Sequence, residues 1–149
     1  PMSYHEHMGT IIQTEKDVDR FINETNDKTF LLYDTGHLLF GQADYEKILK
    51  KYISRINHIH CKDIRRDILD NSLSNNLSFR DSFLEGVFTV PGDGCIDYRP
   101  LIKVLYENNY NSWLVVEAEQ DPFKANPFIH AKIGYKYLKN IVTEIGYTI

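Results

Sequence analysis

Histidines are concentrated where strands of this sequence are predicted to end. The chain has six histidines, and five of them occupy such places: His5, His7, His37, His58 and His60. A lone histidine at a strand end is most often structural, but five at equivalent places in three successive segments are harder to attribute to packing. Ligands of parallel β/α folds bind at the carboxyl ends of the strands. We therefore interpret these histidines as candidate functional groups.

Carboxylates stand at the same predicted strand ends. Asp34 directly follows an apolar segment, where a buried charge is costly unless it is paired or bound to a metal; capping a helix or turn is the alternative role. Glu117 and Glu119 end another apolar segment and share one face of it, with Glu117 expected to lie deeper. Imidazole and carboxylate together suit Mn²⁺, Co²⁺, Zn²⁺ or Fe²⁺ better than Mg²⁺ or Ca²⁺. The sequence therefore predicts a divalent metal site.

The first of these segments alternates histidine, glutamate and histidine. The two-residue period of a strand places His5 and His7 on one face and Glu6 on the other. The alternative is that Glu6 pairs with a helix while both histidines pack near a loop. A later segment ends in a similar way, as HIHCKD at 58–63, with two histidines on one face.

Four apolar, β-leaning segments are predicted to carry these groups, at 2–7, 30–34, 56–61 and 113–119. The apolar runs in the second and fourth are continuous, which is typical of strands covered on both faces. Helical patterns follow the strands. Thr14 and Asp44 have the character of capping residues before apolar stripes, and Pro100 suits a first helical turn. This alternation predicts an α/β fold with a parallel sheet.

The connection at 64–97 is longer than an ordinary loop, and loops of this length are usually functional or disordered. It is polar at first, and 78–83 is predicted to start a short helix. It ends in the turn-rich stretch 90–97. That stretch could close over a ring substrate, or it could be a plain turn that caps the next helix through Asp97.

The composition is ordinary for a soluble globular protein, with 42% hydrophobic and 26% charged residues. A net charge of −4 argues against nucleic-acid binding, and the apolar runs are far shorter than a membrane span. Cys61 and Cys95 form no paired motif, so a reduced, cytoplasmic setting is expected. Cys61 could take part in oxidation or glutathione chemistry, or it could be a buried, inert thiol. Because the sequence opens on a segment that already approaches a functional end, we expect the second half of a longer chain, the alternative being a complete small domain.

Five motifs occur in an order that resembles the second half of the inosose dehydratase family, whose members are xylose isomerase-like TIM barrels. They are HEHMGT at 5–10, YDTGH at 33–37, HIHCKD at 58–63, FTVPGDGCID at 88–97 and WLVVEAEQDP at 113–122. The last two are the most specific. The others are shared, in weaker form, with sugar epimerases and isomerases of the same barrel class.

The resemblance implies a (β/α)8 TIM barrel, of which residues 1–149 form the C-terminal half. It implies a lyase of myo-inositol catabolism that eliminates water from 2-keto-myo-inositol, a cyclic keto-polyol, with Mn²⁺ or Co²⁺ as the cofactor. The metal ligands of the wider superfamily correspond here to His5, Asp34, His60 and Glu117. That superfamily usually has glutamate at the position of His5, so Glu6 and His7 stay open as alternatives for the first ligand.

The resemblance also suggests roles in proton transfer. A base would remove the proton next to the carbonyl to give a metal-stabilised enediolate, and an acid would assist loss of the hydroxyl. Glu117 is the first candidate for the base and His7 is the second. His37 or Lys62 could act as the acid, with Asp63 orienting Lys62.

Three other interpretations stay open. A keto-sugar isomerase or epimerase of the same barrel class would share the metal site. An abasic-site endonuclease uses a related barrel, but the acidic charge and the lack of a DNA-binding segment argue against it. A truncated, catalytically inactive fragment is the third, and its two open sheet edges would require pairing with the missing N-terminal half barrel or self-association.

Overall fold

The computed structural model describes residues 2–148, which form an α/β unit. Its strands are β1 (Met2–His5), β2 (Thr29–Asp34), β3 (Ile56–Cys61), β4 (Asp63–Ile64), β5 (Phe88–Thr89) and β6 (Leu114–Val116). Its helices are α1 (Glu15–Glu24), α2 (Thr35–Phe40), α3 (Tyr45–Tyr52), α4 (Arg66–Ser74), α5 (Phe79–Glu85), α6 (Tyr98–Glu107) and α7 (Pro127–Ile145), with a 3₁₀ turn at Ile53–Arg55.

Four strands form one parallel sheet in the order β1-β2-β3-β6, so the prediction of a parallel α/β fold is confirmed. The register sets Asp34 opposite His60 and His60 opposite Val115. The first and last strands are shorter than predicted and end at His5 and Val116. His7 and both glutamates of the last motif therefore lie just beyond the strands, at the carboxyl edge of the sheet.

The helix starts follow from local sequence signals. The side chain of Thr14 accepts from the amide of Asp17, and the Asp17 carboxylate accepts from the amide of Thr14, which completes the predicted capping box of α1. Asp44 caps α3 and Asp97 caps α6, whose first turn contains Pro100. The capping role considered for Asp97 is thus confirmed.

The hydrophobic core lies on one face of the sheet. Leu31, Tyr33 and Ile59 of β2 and β3 are buried there, in one cluster with apolar residues of α1, α3, α6 and α7. On the opposite face Leu32 and His58 are half-buried, and Asp34 at the carboxyl end of β2 is fully buried. The core-forming helices pack on one side of the sheet. That the second face is also covered stays a prediction.

The long connection at 64–97 is more structured than predicted. Its short helix is confirmed as α5, capped by Ser78. Its polar beginning is helix α4, which lacks a side-chain cap and buries only Leu69 and Ser72. The short antiparallel pair β4-β5 and a second apolar cluster (Phe40, Ile64, Leu69, Val87 and Phe88) hold this excursion against α2. A weak apolar stripe explains why the sequence did not predict α4.

Two further expectations concern membrane-spanning segments and the reactivity of Cys61. Among residues 2–148, no helix is long and apolar enough to cross a membrane. Cys61 is buried, and burial raises the pKa of its thiol. This supports the inert alternative for Cys61, because the thiolate is the reactive form.

Candidate metal centre

Asp34 lies at the junction of β2 and α2 and uses its two oxygens differently. Oδ1 accepts from the amides of Gly36 and His37 at 2.9 and 3.0 Å, as the cap of α2. Oδ2 faces the strand ends, 3.3 Å from His5 Nε2 and 3.5 Å from His60 Nδ1. The carboxylate is fully buried. Both roles considered for Asp34, cap and site carboxylate, are thus combined in one side chain.

His60 and Glu117 approach each other without making a hydrogen bond. His60 Nδ1 lies 2.9 Å from Glu117 Oε2. Both atoms are buried, and neither has a partner of hydrogen-bonding geometry among residues 2–148. One ligand atom from each of Asp34, His60 and Glu117 falls within 4.8 Å of the others. Buried donor atoms that converge without hydrogen-bonding geometry fit a divalent cation, because buried polar atoms are otherwise almost always hydrogen-bonded.

His5 is the fourth predicted ligand. Its Nε2 is near Asp34 Oδ2, and atoms of His5, Asp34 and His37 form a second group within 4.8 Å. Glu6, the first alternative to His5, is fully buried, and its Oε1 accepts from the Asp34 amide at 2.8 Å. Burial and the charge of Asp34 hold the pKa of Glu6 well above its usual value. The geometry therefore places His5, and not Glu6, in a candidate ligand group with Asp34, but not in the group that contains His60 and Glu117.

Lys62 is a fully buried lysine at the middle of the cluster. Its Nζ is 3.4 Å from Asp34 Oδ2, 3.1 Å from Glu117 Oε2 and 2.9 Å from Glu119 Oε2. Burial lowers the pKa of Lys62, but the three carboxylates outweigh burial and raise it. The side chain is therefore a positive charge held among negative ones.

The prediction that Asp63 orients Lys62 is wrong. Asp63 Oδ1 accepts from the amides of Ile64 and Ile96 at 2.8 and 2.9 Å, and Oδ2 accepts from the Gly92 amide at 3.2 Å. The carboxylate thus holds the stretch 90–97 against β4. Alternation explains the error, because Lys62 and Asp63 are neighbours in the chain and their side chains point in different directions.

His37 and Glu119 are the other partners of Lys62. His37 Nε2 lies 2.7 Å from Lys62 Nζ and 3.2 Å from Glu119 Oε2. Burial lowers the pKa of His37. Burial opposes ionisation of Glu119, but His37 and Lys62 lower its pKa to about 2. His37 is therefore neutral and Glu119 is charged.

Glu119 is the site residue that sequence reasoning undervalued. Its side chain is 29% exposed and that of Glu117 is 31% exposed, so the expectation that Glu117 lies deeper is wrong. Glu119 also lies 3.5 Å from His7 Nε2, and His7, His37 and Glu119 form a third group of candidate ligand atoms. The sequence signal that could have identified Glu119 was its place on the same face as Glu117.

Two aromatic residues of the excursion border this site. The Phe79 ring centroid is 5.3 Å from that of His7, and the Phe88 ring centroid is 5.2 Å from that of His37. Sequence reasoning did not name either one, because α5 and β5 reach the site only through tertiary packing. His58 and His130 belong to none of the three groups of ligand atoms.

The arrangement has three chemical capabilities. It offers nitrogen and oxygen donors to a divalent cation at the carboxyl ends of β1, β2, β3 and β6. It holds carboxylates that can take up a proton. It holds Lys62 in contact with His37, which can deliver one.

Comparisons with known proteins agree with this picture. Residues 2–147 match the family model of the xylose isomerase-like TIM barrel. Inosose dehydratases of Clostridium beijerinckii and Lactiplantibacillus plantarum are 50% and 47% identical over 91% and 96% of this chain. The rhizopine catabolism protein MocC of Rhizobium meliloti is 42% identical over 99% of it. These alignments cover 46–48% of the relatives, so the chain spans about half the length of the curated relatives it matches.

Solved structures share the fold at low sequence identity. The IOLI protein, whose crystal structure holds a zinc atom, superposes with a TM-score of 0.67 at 18% identity, covering 98% of this chain and 49% of that one. The probable 3-DHS dehydratase AsbF of Bacillus anthracis gives 0.67 at 16% identity, covering 91% and 48%. The parallel sheet, the strand-end cluster and the match over residues 2–147 establish that this chain belongs to the xylose isomerase-like TIM barrel family.

Proposed function

We propose that this chain carries the metal centre of a dehydratase that eliminates water from 2-keto-myo-inositol. The observation that carries the proposal is the convergence of Asp34, His60 and Glu117, with two buried donor atoms that lack hydrogen-bond partners. Identities of 47–50% to inosose dehydratases supply the substrate class. A cytoplasmic location and the absence of nucleic-acid or membrane partners belong to the same proposal.

His5, Asp34, His60 and Glu117 would hold the ion. Their nitrogen and oxygen donors suit a borderline divalent metal, for which we propose Mn²⁺ or Co²⁺. The zinc atom in the structure of the IOLI protein, which has a similar fold, supports a divalent ion. When bound, the ion supplies Lewis acidity toward the ketone oxygen. Glutathione is not needed in this scheme, since the buried Cys61 has a raised thiol pKa.

The side chains would divide the proton transfers. Glu117 accepts the proton from the carbon next to the carbonyl, and His7 is the second candidate for this base. The departing hydroxyl takes a proton from His37 or Lys62 and leaves as water. These two groups are in contact at 2.7 Å, so a proton given up by one can be replaced through the other. The net change is loss of one water from the ketone, with no oxidation or reduction.

The experiment is an elimination assay on metal-stripped and reloaded protein. We expect turnover of 2-keto-myo-inositol that is lost with a chelator and restored by Mn²⁺ or Co²⁺, and lost in His60→Ala. The matched control is His58→Ala, which changes a neighbouring histidine outside the candidate ligand groups. Turnover of ketohexoses in place of the inosose would support the isomerase alternative and contradict the dehydratase.

We further propose that a second half barrel pairs with this chain, and that the missing N-terminal half is its natural occupant. β1 and β6 are the two edges of the sheet. A groove of about 460 Å³ runs along β6 and α7, lined by residues that include Trp113, Leu114 and Tyr135. Exposed parallel edges tend to pair, and the relatives are about twice as long.

Co-expression with four upstream β/α units tests this pairing. We expect a stable one-to-one complex that restores turnover, measured by light scattering and the elimination assay. Self-association of the chain alone, with full activity, would favour a second copy as the partner. A well-behaved monomer that binds no metal and gains nothing from co-expression would support the inactive-fragment interpretation.

A further inference from the structure

The buried ammonium of Lys62 contacts atoms of two candidate ligand groups that share no residue. One is the group of Asp34, His60 and Glu117, and the other is the group of His7, His37 and Glu119. Nζ lies within 3.4 Å of an oxygen of each carboxylate and 2.7 Å from His37 Nε2. A cluster with this many ligands could hold two ions, as two-metal sites place them about 3.5–4 Å apart.

We propose that Lys62 is a built-in cation that takes the place of a second metal ion, so that the centre binds one divalent ion and not two. This inference rests on the proposed metal centre. It assigns the group of His7, His37 and Glu119 to the lysine and the group of Asp34, His60 and Glu117 to the metal.

The position of Nζ supports this division. It lies 2.7 Å from His37 Nε2 and 2.9 Å from Glu119 Oε2, so the ammonium fills the space that a second ion would need beside these two atoms. Of His7, His37 and Glu119, only His7 is left without a contact to the ammonium.

Charge balance points the same way. Asp34, Glu117 and Glu119 together carry three negative charges around Nζ. One divalent ion and Lys62 balance them. A second divalent ion beside the ammonium would leave an excess of positive charge around the buried Lys62 side chain, and such an excess is costly.

The chain is built to hold Lys62 in this place. The Lys62 amide donates to Thr35 Oγ1 at 3.1 Å, and its carbonyl accepts from Thr35 Oγ1 and from the Tyr98 hydroxyl at 2.7 and 3.0 Å. A side chain at Gly36 would place its Cβ 2.6 Å from Lys62 Cγ. Gly36 therefore makes the room through which the lysine stem passes. Nζ also lies 5.1 Å from the centroid of the Phe88 ring.

The test counts Mn²⁺ ions in the folded protein, alone or with its partner half, by elemental analysis and by electron paramagnetic resonance. We expect about one ion per chain in the wild type and about two in Lys62→Met, with the spectrum of two coupled ions. Lys62→Arg should keep one. Lys103→Met, on the exposed face of α6, is the matched control and should also keep one.

Lys62→Gln repeats the measurement if the methionine variant does not fold. Adding Glu119→Gln to the neutral variant should return the count to one, because it removes a ligand of the second site. One ion in both wild type and the folded neutral variants would overturn the role of Lys62 and leave the metal centre intact. Two ions in the wild type would also overturn it. No ion in any variant would overturn the metal centre and this inference with it.

Discussion

The ends of β2 and β3 carry the same buried residue in two different roles. Asp34, at the end of β2, gives one oxygen to backbone amides and turns the other toward His5, His60 and Lys62. Asp63, just after β3, gives both oxygens to backbone amides. Both side chains are fully buried. Burial therefore does not distinguish a functional carboxylate from a structural one here, but the direction of the second oxygen does.

The pKa values of the two carboxyls move in opposite directions. Burial raises the pKa of Asp63, and the amide hydrogen bonds from Ile96, Ile64 and Gly92 do not offset it. Burial also opposes ionisation of Asp34, but the contacts with His5 and His60 and the charge of Lys62 hold its pKa well below its usual value. Charged neighbours, and not backbone amides, mark the site carboxylate.

Replacing the structural carboxylate should have the largest effect on stability. Asp63→Ala leaves the amides of Ile96 and Gly92 without their acceptor, and each such loss costs about 1–3 kcal/mol. We expect the free energy of unfolding to fall by about 2–5 kcal/mol in urea titration, with about one Mn²⁺ still bound per chain. Asp70→Ala, on the exposed side of α4, is the control. Lost metal binding at unchanged stability would break the comparison.

Replacing the site carboxylate should act on the metal first. Asp34→Asn keeps an oxygen for the α2 cap but removes the charge that faces His5 and His60. We expect Mn²⁺ affinity to fall by more than about 100-fold, because even the hydrogen-bonding partners of metal ligands are worth about 10–100-fold. Isothermal titration calorimetry measures this. An unchanged affinity would remove Asp34 from the ligand set.

Gly94, which contacts Asp63, allows a second test of the structural role of this carboxylate. A Cβ added at Gly94 would lie 2.3 Å from Asp63 Oδ1. Gly94→Ala must therefore shift the loop or the carboxylate, and overpacking of this kind costs about 1–3 kcal/mol. Thermal unfolding should show the loss while the Mn²⁺ affinity stays the same. A variant as stable as the wild type would show that Asp63 does not fix this loop.

A histidine next to the site should give the smallest effect. The His58 ring centroid lies 5.4 Å from that of His60, but His58 joins none of the ligand groups. His58→Asn should change Mn²⁺ affinity by no more than about twofold, the range of a substitution away from special contacts. A large loss would place His58 among the ligands and weaken the assignment of His60.

The sequence predicted those parts of the site that follow from strand period and strand ends. Asp34, His60 and Glu117 meet because parallel strands end at one edge of the sheet. The helix caps at Thr14 and Asp44 were also readable, because capping depends on neighbours in the chain.

Features that depend on packing between distant segments were not readable. The excursion with α4 and the β4-β5 pair brings Phe88 beside His37, and no local pattern signals this contact. The partner of Asp63 was predicted wrongly for the same reason. Its carboxylate accepts from the amides of Gly92 and Ile96, about thirty residues away in the chain. The sequence placed Glu119 on the same face as Glu117, but it did not predict the contact with Lys62, because the two residues are 57 positions apart in the chain.

The most direct test of the metal centre is anomalous diffraction from crystals of the protein, alone or with the proposed partner half, grown with Mn²⁺. We expect one anomalous peak per chain, about 2.2 Å from ligand atoms of Asp34, His60 and Glu117, with His5 beside it and Lys62 still in contact with Glu119. A peak held by His7, His37 and Glu119 in its place, or no peak at a metal concentration that saturates activity, would contradict the assignment.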